Sequence, residues 1–447
     1  MSASVQASPV SVPAAALLEK IKDRTARVGV VGLGYVGLPF AVEKAKVGFQ
    51  VLGFDRSALR VGQVNAGESY IGDVRGQELR TLVLGRGLLR ATGDWDRLAD
   101  MDVVVICVPT PLTRNLTPDL QFIEAVTAEL ALRIRPGQLI CLESTTYPGT
   151  TDEVMRPLLE ATGLRAGVDF YLAFSPERVD PGNQRYSTRN TNKVVGAEGA
   201  SREVALAFYR QAILHVVPVS SSRAAEMVKV FENTFRAVNI ALVNELAMLC
   251  DRMDLDVWEV LDAAGTKPFG IMSFYPGPGV GGHCIPLDPH YLEWKAREFN
   301  FNTRFIALAG EINRRMPEFV LDKAMRLLSD RGLGLRGSQV LALGVAYKKD
   351  VDDPRESPAA EIIELLVQRG ARLVYHDPLV PRFQGRGRQL ESVPLSAEAL
   401  AAADLVLILT DHSAVDYGFV VRHARLVLDT RFATRGLDCD RAKVVLL

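Results

Sequence analysis

The spacing of apolar and polar positions divides the chain into three parts. Up to about residue 218, short apolar runs such as 103–108 alternate with amphipathic stretches. A long helical pattern without Pro or Gly then extends from Ser222 to Met253. The alternation returns at 339–343 and continues through the rest of the sequence. Because alternating strands and helices are typical of parallel sheets covered by helices, we predict an α/β protein in which two doubly wound domains are joined by a long central helix.

A glycine-rich turn follows the first apolar run. After it come a helical segment and a second apolar run that ends on Asp55. Strand, glycine turn, helix, strand and acid in this order form the fingerprint of a dinucleotide-binding Rossmann domain. The helix N-terminus beside the turn is expected to face the pyrophosphate. The candidate cofactor contacts in the turn are Gly32, Gly34, Tyr35, Val36 and Gly37.

The acid at the end of the second strand predicts which dinucleotide binds. The carboxylate of Asp55 is expected to bind both ribose hydroxyls and to repel a 2′-phosphate, which favours NAD over NADP. Arg56 and Arg60 follow closely in the sequence and act against that preference. We predict NAD as the cofactor, with Arg60 among its contacts.

Polar residues also follow three later apolar runs. Thr110 follows the first of them, Ser144 and Thr145 the second, and Glu177 the third. In an open α/β sheet, ligands bind at the carboxyl ends of the strands. The hydroxyl residues are therefore candidates for cofactor or substrate contacts, with helix capping as the alternative for Ser144. Glu177 is a candidate general base or a surface carboxylate.

The long helical pattern carries two polar residues one turn apart, Lys229 and Asn233. Beside apolar neighbours they indicate either a polar stripe aimed at a site or a solvated face. The helix is long enough to link two domains and to form a dimer interface.

A Gly/Pro-rich loop at 276–289 contains Cys284 and, four residues on, Asp288. Its composition excludes a regular helix or strand, and a helix is predicted to begin at Asp288 and Pro289. A thiol near a helix N-terminus is a candidate nucleophile, and a packed cysteine in a turn is the alternative.

The second α/β segment has cationic residues where its strands end. Lys349 and Arg355 lie in a charged loop after the first strand, and Arg431 follows the last one. Such side chains can bind phosphates. The two sheets are thus expected to form a cleft with NAD on one wall and a phosphorylated ligand on the other.

Composition adds limits to this picture. The 447 residues are 48% hydrophobic and 23% charged, which suits two or three globular domains. The net charge of −1 gives no basic footprint for nucleic acid or membranes. No apolar run approaches the ~18 residues of a membrane span, and the first ~13 residues resemble a disordered tail rather than a signal peptide. Five cysteines without disulfide-like spacing indicate a reducing, cytoplasmic location.

Six motifs together resemble the UDP-glucose/GDP-mannose dehydrogenase family from about residue 14 to the end. The motifs are Gly32-Leu33-Gly34-Tyr35-Val36-Gly37, Ser144-Thr145, Ser175-Pro176-Glu177, Lys229-x-x-x-Asn233, Gly281-Gly282-His283-Cys284-x-x-x-Asp288, and Lys348-Lys349-Asp350 with Arg355-Glu356-Ser357. The resemblance implies oxidation of carbon 6 of a nucleotide sugar to a carboxylate with two NAD⁺. Such enzymes supply precursors of bacterial surface polysaccharides.

The resemblance also implies roles for individual residues. Cys284 attacks the intermediate aldehyde, and hydride transfer then leaves a thioester that is hydrolysed. Glu177 and Thr145 handle protons and water, while Lys229 and Asn233 stabilise the oxyanion. Asp288 assists the water or the lysine, and Lys349 and Arg355 link the C-terminal domain to substrate and cofactor. The implied substrate contacts are Glu177, Arg178, Val179, Lys229, Asn233, Phe274, Tyr275, Gly277, Gly281, Lys349 and Arg431.

One position departs from the family members that act on UDP-glucose. They often carry a second glutamate four residues after the first, where this chain has Pro181 preceded by Asp180. The loops around Glu177, Cys284 and Arg355 look most like those of the branch that oxidises UDP-N-acetylhexosamines. This favours UDP-N-acetylglucosamine as the substrate, with UDP-N-acetylgalactosamine, UDP-N-acetylmannosamine and UDP-glucose as alternatives.

With the resemblance included, four segments are expected. They are an N-terminal tail and short helix at 1–25, an NAD-binding Rossmann domain at 26–218, a central helical and dimerisation region at 219–331, and a UDP-sugar-binding Rossmann-like domain at 332–447. The expected partners are a UDP-sugar and further copies of the chain, as a homodimer or higher oligomer, without nucleic acid or membrane.

Three other classes of protein compete with this interpretation. A two-electron hydroxy-acid dehydrogenase shares the fingerprint and the Lys/Asn helix but has no need of Cys284. A nucleotide-sugar sensor needs no intact nucleophile, whereas every candidate catalytic position is filled here. A zinc protein using His283, Cys284 and His290 has too few suitably spaced ligands, so we predict no metal.

Overall fold

The computed structural model describes residues 12–113, 115–180, 183, 185–282, 285–385 and 388–447. Within these ranges, tertiary contacts separate two compact units. The first unit runs to Glu232 and includes His290–Phe299. The second comprises Asn233–Pro289 and Asn300–Leu447. The four segment boundaries expected from the sequence remain a prediction.

One large sheet forms the centre of the first unit. Its strands are β1 (Arg27–Val31), β2 (Gln50–Phe54), β3 (Leu89–Thr92), β4 (Val103–Ile106), β5 (Leu139–Leu142), β6 (Tyr171–Phe174), β7 (Lys193–Gly196) and β8 (Val216–Val219). The strand order is β3-β2-β1-β4-β5-β6-β7-β8, and β6 pairs with β7 antiparallel while the other pairs are parallel. Such a sheet brings the ends of β1, β4, β5 and β6 to one edge.

Helices cover both faces of this sheet. They are α1 (Val12–Lys22), α2 (Gly37–Lys46), α3 (Ala58–Ala66), α4 (Gly76–Arg80), α5 (Gln121–Ala131), α6 (Arg156–Glu160) and α7 (Gly199–Arg210). Strands β4 and β5 are buried along their whole length. Burial on both faces explains why they read as continuous apolar runs rather than as alternating patterns. Val30 of β1 packs in the core on one face and the next residue, Val31, in the core on the other.

The turn between β1 and α2 tolerates only glycine at two positions. Gly32 has a φ of 91°, and a Cβ there would lie 2.4 Å from the carbonyl oxygen of Cys107. A Cβ at Gly37 would lie 1.8 Å from the carbonyl oxygen of Gly32. A side chain at either position would therefore displace backbone, so the glycines set how closely strand and helix approach.

A long helix, α8 (Ser222–Met253), begins in the first unit and ends in the second. Its ends are those predicted from the sequence, and no Pro or Gly interrupts it. The other helices are α9 (Val257–Gly265), α10 (Asp288–Arg297), α11 (Arg304–Ser329), α12 (Pro358–Gln368), α13 (Ala397–Ala402) and α14 (Tyr417–His423).

The second unit contains a smaller parallel sheet. The remaining strands are β9 (Gln339–Leu343), β10 (Arg372–His376), β11 (Arg382–Gly385), β12 (Arg388–Glu391), β13 (Leu405–Ile408), β14 (Val427–Asp429) and β15 (Val444–Leu446). Five of them form the sheet in the order β10-β9-β13-β14-β15, and β11 and β12 form a separate antiparallel hairpin. The predicted fold class, α/β with two Rossmann-like sheets and a long central helix, is confirmed. Among the helices in the described ranges, none has the length and apolar character needed to cross a membrane.

Candidate active site

The glycine turn and Asp55 lie side by side in the first unit. The Asp55 carboxylate accepts the N–H of Leu33 at 3.0 Å and that of Ser57 at 2.8 Å. Arg60 approaches the same carboxylate at 3.5 Å. A Cβ built at Gly34 would meet no described atom within 4 Å, so the turn leaves open space where a pyrophosphate can approach the backbone. The residues at this edge therefore fit a dinucleotide, and the contact of Asp55 with a ribose stays a prediction.

Three hydroxyl residues follow the ends of β4 and β5, as expected. The Ser144 hydroxyl accepts the N–H of Val108 at 2.9 Å and donates to the Val108 carbonyl oxygen at 2.7 Å. Ser144 thus fastens the ends of the two strands together. The carbonyl oxygen of Thr110 accepts a hydrogen bond from the Tyr291 hydroxyl, and Thr145 is half-buried. Their contacts with cofactor or substrate stay predictions.

Glu177 lies in a cradle of hydrogen-bond donors after the end of β6. Its Oε1 accepts the N–H groups of Arg178 and Val179, both at 2.8 Å, and its Oε2 accepts the Lys193 ammonium at 3.1 Å. Burial raises the pKa of Glu177, but Lys193 and the two N–H groups outweigh it and hold the pKa below its usual range. Glu177 is thus a fixed, ionised carboxylate rather than a surface group, and its role as a general base stays a prediction.

Two cationic candidates, Arg178 and Lys229, also belong to the first unit. Arg178 donates to the Glu232 carboxylate at 3.1 and 2.5 Å and to the Asn192 carbonyl oxygen at 2.5 Å. Lys229, on α8, is 8% exposed. An ammonium removed from water is a stronger electrostatic partner for a developing negative charge than an exposed one.

In the second unit, Asn233 and Asp288 form a buried pair. They are 5% and 3% exposed, and the Asn233 side-chain nitrogen donates to Asp288 Oδ2. Asp288 is the first residue of α10, where a carboxylate is favoured by the helix dipole. The predicted helix start is therefore confirmed. Cys284, the predicted nucleophile, lies outside the described residues, as does His283.

The loop before Cys284 packs on the loop that follows β9. The Gly282 N–H donates to the Glu356 carbonyl oxygen at 3.2 Å. A Cβ at Gly281 would lie 2.8 Å from that oxygen and 3.0 Å from Tyr347 Cβ. At Gly277, a Cβ would lie 2.8 Å from Arg431 Nη1. Two of the predicted substrate contacts, Gly277 and Gly281, are thus positions where a side chain would push neighbouring groups apart.

The aromatic candidates in the same loop pack against helices of the second unit. Phe274 contacts Phe235 of α8, with ring centroids 6.0 Å apart. Tyr275 stacks on Trp258 at 5.7 Å, and its hydroxyl donates to Asp262 at 2.8 Å. Their role in substrate binding stays a prediction.

The three predicted phosphate-binding cations lie in loops after the strands of the smaller sheet. Lys349 is 3.6 Å from Asp411, and Arg355 binds Asp353 in a two-pronged pair at 2.8 and 2.6 Å. Arg431 donates to the Leu409 carbonyl oxygen at 2.9 Å. Burial lowers the pKa of Arg431, while nearby aspartates act in the opposite direction. Arg431 is therefore the least hydrated of the three, and the one best placed to gain from an anionic ligand.

Sequence reasoning missed the residues behind Glu177. Lys193 donates to Glu143 at 2.8 Å as well as to Glu177, and Tyr209 donates to Glu143 at 2.7 Å. A lysine before two valines looks like a strand-edge residue with a solvated end, so nothing in the local pattern reveals its burial. The sequence feature that could have indicated a buried charged cluster is Glu143, a carboxylate at the end of an otherwise apolar run.

Three models of one family match the chain in sequence order. The NAD binding domain of the UDP-glucose/GDP-mannose dehydrogenase family matches residues 26–213. The central domain of the family matches 223–315, and its UDP binding domain matches 341–435. The chain belongs to the UDP-glucose/GDP-mannose dehydrogenase family. The resemblance inferred from six motifs is confirmed, and with it NAD as cofactor and a UDP-sugar as substrate class.

Curated relatives within the family carry different substrate names. The UDP-N-acetyl-D-mannosamine dehydrogenase of Pyrococcus horikoshii is 35% identical over 91% of this chain and 95% of its own length. The UDP-N-acetyl-D-glucosamine 6-dehydrogenase of Pseudomonas aeruginosa is 34% identical over 87% of this chain and 90% of its own. The solved structure of UDP-D-ManNAc dehydrogenase from Pyrococcus horikoshii superimposes with a TM-score of 0.85 at 33% identity, over 94% of this chain and 98% of that one. The chain is thus an NAD-dependent UDP-sugar dehydrogenase.

Proposed function

We propose that this enzyme oxidises carbon 6 of UDP-N-acetylglucosamine from alcohol to carboxylate through a covalent intermediate on Cys284. The observation that supports a four-electron reaction best is the Glu177 carboxylate, held by two backbone N–H groups and Lys193. A dehydrogenase that stops after two electrons has no thioester to hydrolyse, and so has no need of a carboxylate fixed to activate water.

The proposed chemistry has four steps that balance. Loss of a hydride and a proton converts the C6 alcohol to an aldehyde. The Cys284 thiolate adds to the aldehyde carbon and gives a thiohemiacetal, and loss of a second hydride leaves a thioester. Water then adds to the thioester and expels the thiolate, which leaves the C6 carboxylate. NAD, when bound, would accept one hydride per molecule, so each substrate consumes two NAD⁺ and one water and yields the carboxylate, two NADH and three protons.

The protein groups act on protons and charge in these steps. Glu177, with Thr145, takes the proton of the attacking water. Lys229 and Asn233 stabilise the oxyanion, and removal of a single such donor typically costs ~3–4 kcal/mol of transition-state stabilisation. Asp288 accepts a hydrogen bond from Asn233, which supports a role in orienting that amide.

Groups outside the reacting centre bind the two ligands. Gly32, Gly34, Gly37 and Asp55 would hold NAD through the pyrophosphate and ribose. Lys349 and Arg431 would bind the diphosphate of the UDP-sugar. Arg355 is paired with Asp353, so binding through Arg355 would require this two-pronged pair to open.

The choice of an N-acetylated hexosamine is supported by the relatives, which are named for UDP-N-acetylmannosamine and UDP-N-acetylglucosamine. The choice of the glucosamine epimer rests on the residues of the loops around Glu177, Cys284 and Arg355. A role in surface-polysaccharide precursor synthesis follows from the same assignment. We place this reaction in the cytoplasm, where the cofactor and the UDP-sugar are both formed.

We also propose a homodimer that forms through α8. In the second unit this helix presents four exposed apolar side chains on one stripe. They are Phe235, Leu242, Leu249 and Met253, between 40% and 63% exposed. Large apolar side chains at helical spacing are normally covered, and a second copy of the same helix is a self-complementary partner.

The amount of NADH formed per UDP-sugar tests the proposed reaction. A limiting amount of UDP-N-acetylglucosamine should give two NADH at 340 nm, and Cys284→Ser should not form the second NADH, because oxidation beyond the aldehyde needs the thiolate. Binding of NAD and UDP-sugar to this variant should be nearly unchanged in calorimetry, and Cys439→Ser should turn over like the wild type. Full turnover by Cys284→Ser would contradict covalent catalysis. One NADH per sugar from the wild type would indicate a two-electron dehydrogenase.

A further inference from the structure

A buried charged cluster lies behind Glu177 and has no part in the mechanism so far. Lys193 begins β7, Glu143 follows β5, and Tyr209 lies on α7. They are 2%, 1% and 0% exposed. A charge removed from water is costly unless it is paired and hydrogen-bonded, so a buried lysine and glutamate in contact, with a tyrosine hydroxyl on the same glutamate, form a specific arrangement rather than a chance one.

Lys193 bridges two carboxylates. Its ammonium nitrogen lies 2.8 Å from Glu143 Oε2 and 3.1 Å from Glu177 Oε2. The other oxygen of Glu143 accepts the Tyr209 hydroxyl at 2.7 Å. The other oxygen of Glu177 accepts two backbone N–H groups, both at 2.8 Å. Lys193 therefore fixes the one oxygen of Glu177 that the backbone does not hold.

The two carboxylates share one ammonium but respond to it differently. Burial raises the pKa of Glu143, and Lys193 offsets this only in part. For Glu177, Lys193 and the backbone N–H groups outweigh burial and lower the pKa. Burial lowers the pKa of Lys193, but Glu143 and Glu177 raise it above its ordinary value, so the lysine stays charged.

Other titratable groups face this cluster from neighbouring elements. Burial lowers the pKa of Lys44, on α2, to about 7, and its nitrogen donates to the Phe208 carbonyl oxygen at 2.7 Å. Burial raises the pKa of Cys107, and raises that of Cys141 to about 12, so both thiols stay neutral. Burial also raises the pKa of Tyr209, which stays neutral too. The charged side chains that act on Glu177 are therefore Lys193 and Glu143, while Lys44 acts on Glu143 and Lys193.

We propose that Lys193 is a positioning residue that orients Glu177 and maintains its negative charge. The negative charge of Glu143 partly offsets this stabilisation of the Glu177 carboxylate. This inference rests on the proposed role of Glu177 in activating water. Lys193 acts through Glu177 and not on the substrate. Its removal and the removal of Glu143 should consequently change the ionisation of Glu177 in opposite directions.

The pH dependence of kcat with UDP-sugar tests this relationship. In Lys193→Met, Glu177 stays buried without its ammonium partner, so the acid limb should move to higher pH by about one unit. In Glu143→Gln, a competing negative charge is lost, so the acid limb should move to lower pH. A purely structural role would lower activity in both variants without opposite shifts, and that result would overturn the proposal.

Lys44→Met is the matched control, because it removes another buried lysine of the same domain that donates to a carbonyl oxygen rather than to a carboxylate. Because Lys44 interacts electrostatically with Glu143 and Lys193, its removal should move the acid limb by less than Lys193→Met does. If Lys193→Met does not fold, the double variant Lys193→Met/Glu143→Gln is used instead, because it removes one buried charge of each sign. Its acid limb should still lie above that of Glu143→Gln, and coincidence of the two would overturn the proposal.

A second measurement needs no turnover. In protein with ¹³C-labelled glutamate carboxyls, the Glu177 signal is assigned by its loss in Glu177→Gln, and its titration should shift up in Lys193→Met and down in Glu143→Gln. An unchanged Glu177 titration in Lys193→Met would overturn the inference even if the wild type is active. Absence of UDP-sugar-dependent NADH formation by the wild type would instead overturn the proposed function, and the titration would still decide the role of Lys193.

Discussion

The side-chain oxygen of Asn244 accepts the backbone N–H of Gly277 at 3.0 Å, which ties the Gly/Pro-rich loop to α8. The Asn244 amide donates in turn to Asn313 at 2.9 Å, and Asn313 donates to the Ala237 carbonyl oxygen at 3.1 Å. Asn244 is completely buried. Since buried polar groups need partners, this chain of bonds fixes the loop that leads to Cys284.

Replacement of Asn244 by Ala should therefore weaken both the fold and the reaction. The buried Gly277 N–H loses its acceptor, which should lower the free energy of unfolding in urea by about 1–3 kcal/mol. A displaced loop should also lower kcat more than it raises KM for NAD. Asn239→Ala is the control, because Asn239 lies on the same helix but is only half-buried and donates within the helix, to the Phe235 carbonyl oxygen. Equal losses in the two variants would contradict an anchoring role.

Asp55 should determine the preference between the two nicotinamide cofactors. Asp55→Ala removes a carboxylate that accepts the Leu33 and Ser57 N–H groups and faces Arg60 at 3.5 Å. Loss of the ribose contact should raise KM for NAD, and loss of repulsion towards a 2′-phosphate should bring NADP closer to NAD in kcat/KM. Initial rates with both cofactors measure this. An unchanged preference would show that Arg56 or Arg60 dominates, and Arg60→Ala then separates these two.

Elements were predictable where a regular spacing of apolar residues or a local glycine requirement lies within one stretch of the sequence. Helix α8 was predicted from Ser222 to Met253 because its apolar spacing continues without a breaking residue. The glycine turn was predictable because Gly32 and Gly37 leave no room for a Cβ, a requirement that the sequence records directly. Strands of the smaller sheet, such as Gln339–Leu343, were found from their apolar runs.

The residues that were not predicted owe their positions to tertiary contacts. Strand β7 is four residues long, and its pairing with β6 is antiparallel, so βα alternation gave no hint of it. The burial of Lys193 depends on carboxylates that are 50 and 16 residues away in sequence. No local pattern encodes such a pairing. The same reasoning applies to His412, which is completely buried and paired with Asp377 at 3.2 Å.

Lys44 should make stability depend on pH in a defined window. Burial lowers its folded pKa to about 7, against an ordinary value of 10.5. Between these values the unfolded chain binds more protons than the folded protein, so the free energy of unfolding rises with pH, and this contribution is lost as pH falls to about 7. Urea denaturation at pH 7 and pH 9 should show this rise in the wild type and a smaller one in Lys44→Met.

The control for Lys44 is a lysine of the same helix with the opposite perturbation. Burial lowers the pKa of Lys46, but Glu43 and Glu78 raise it above its ordinary value. Its titration therefore lies above the tested range, and Lys46→Met should keep the wild-type slope between pH 7 and pH 9. A wild-type slope in Lys44→Met as well would mean that Lys44 is not the group responsible.

The apolar stripe on α8 predicts the effect of a single charge on assembly. Leu242 is 63% exposed, and Leu242→Glu would place a carboxylate within the proposed dimer interface. We expect light scattering to show a dimer for the wild type and a shift towards monomer for the variant. Leu132→Glu is the control, since Leu132 is 77% exposed but lies at the end of α5 and is not part of the stripe. Dissociation by Leu132→Glu alone would place the interface elsewhere.

The last prediction is the identity of the sugar. The cationic side chains Lys349 and Arg431 require only an anionic nucleotide sugar, and Cys284 requires only a primary alcohol that becomes an aldehyde. A pocket that accommodates an acetamido group should not reject UDP-glucose by steric conflict. The hydrogen bond lost without the acetamide should nevertheless weaken transition-state binding by ~1–3 kcal/mol.

We therefore expect kcat/KM for UDP-N-acetylglucosamine to exceed that for UDP-glucose by at least ~10-fold. UDP-N-acetylgalactosamine differs only in the orientation of its 4-hydroxyl and is the strictest comparison, while UDP-N-acetylmannosamine tests the orientation of the acetamide itself. Initial rates of NADH formation with the four UDP-sugars at equal, low concentrations rank them directly by kcat/KM. A higher value for any of the other three would refute the choice of UDP-N-acetylglucosamine, and two NADH per sugar would still identify a four-electron dehydrogenase.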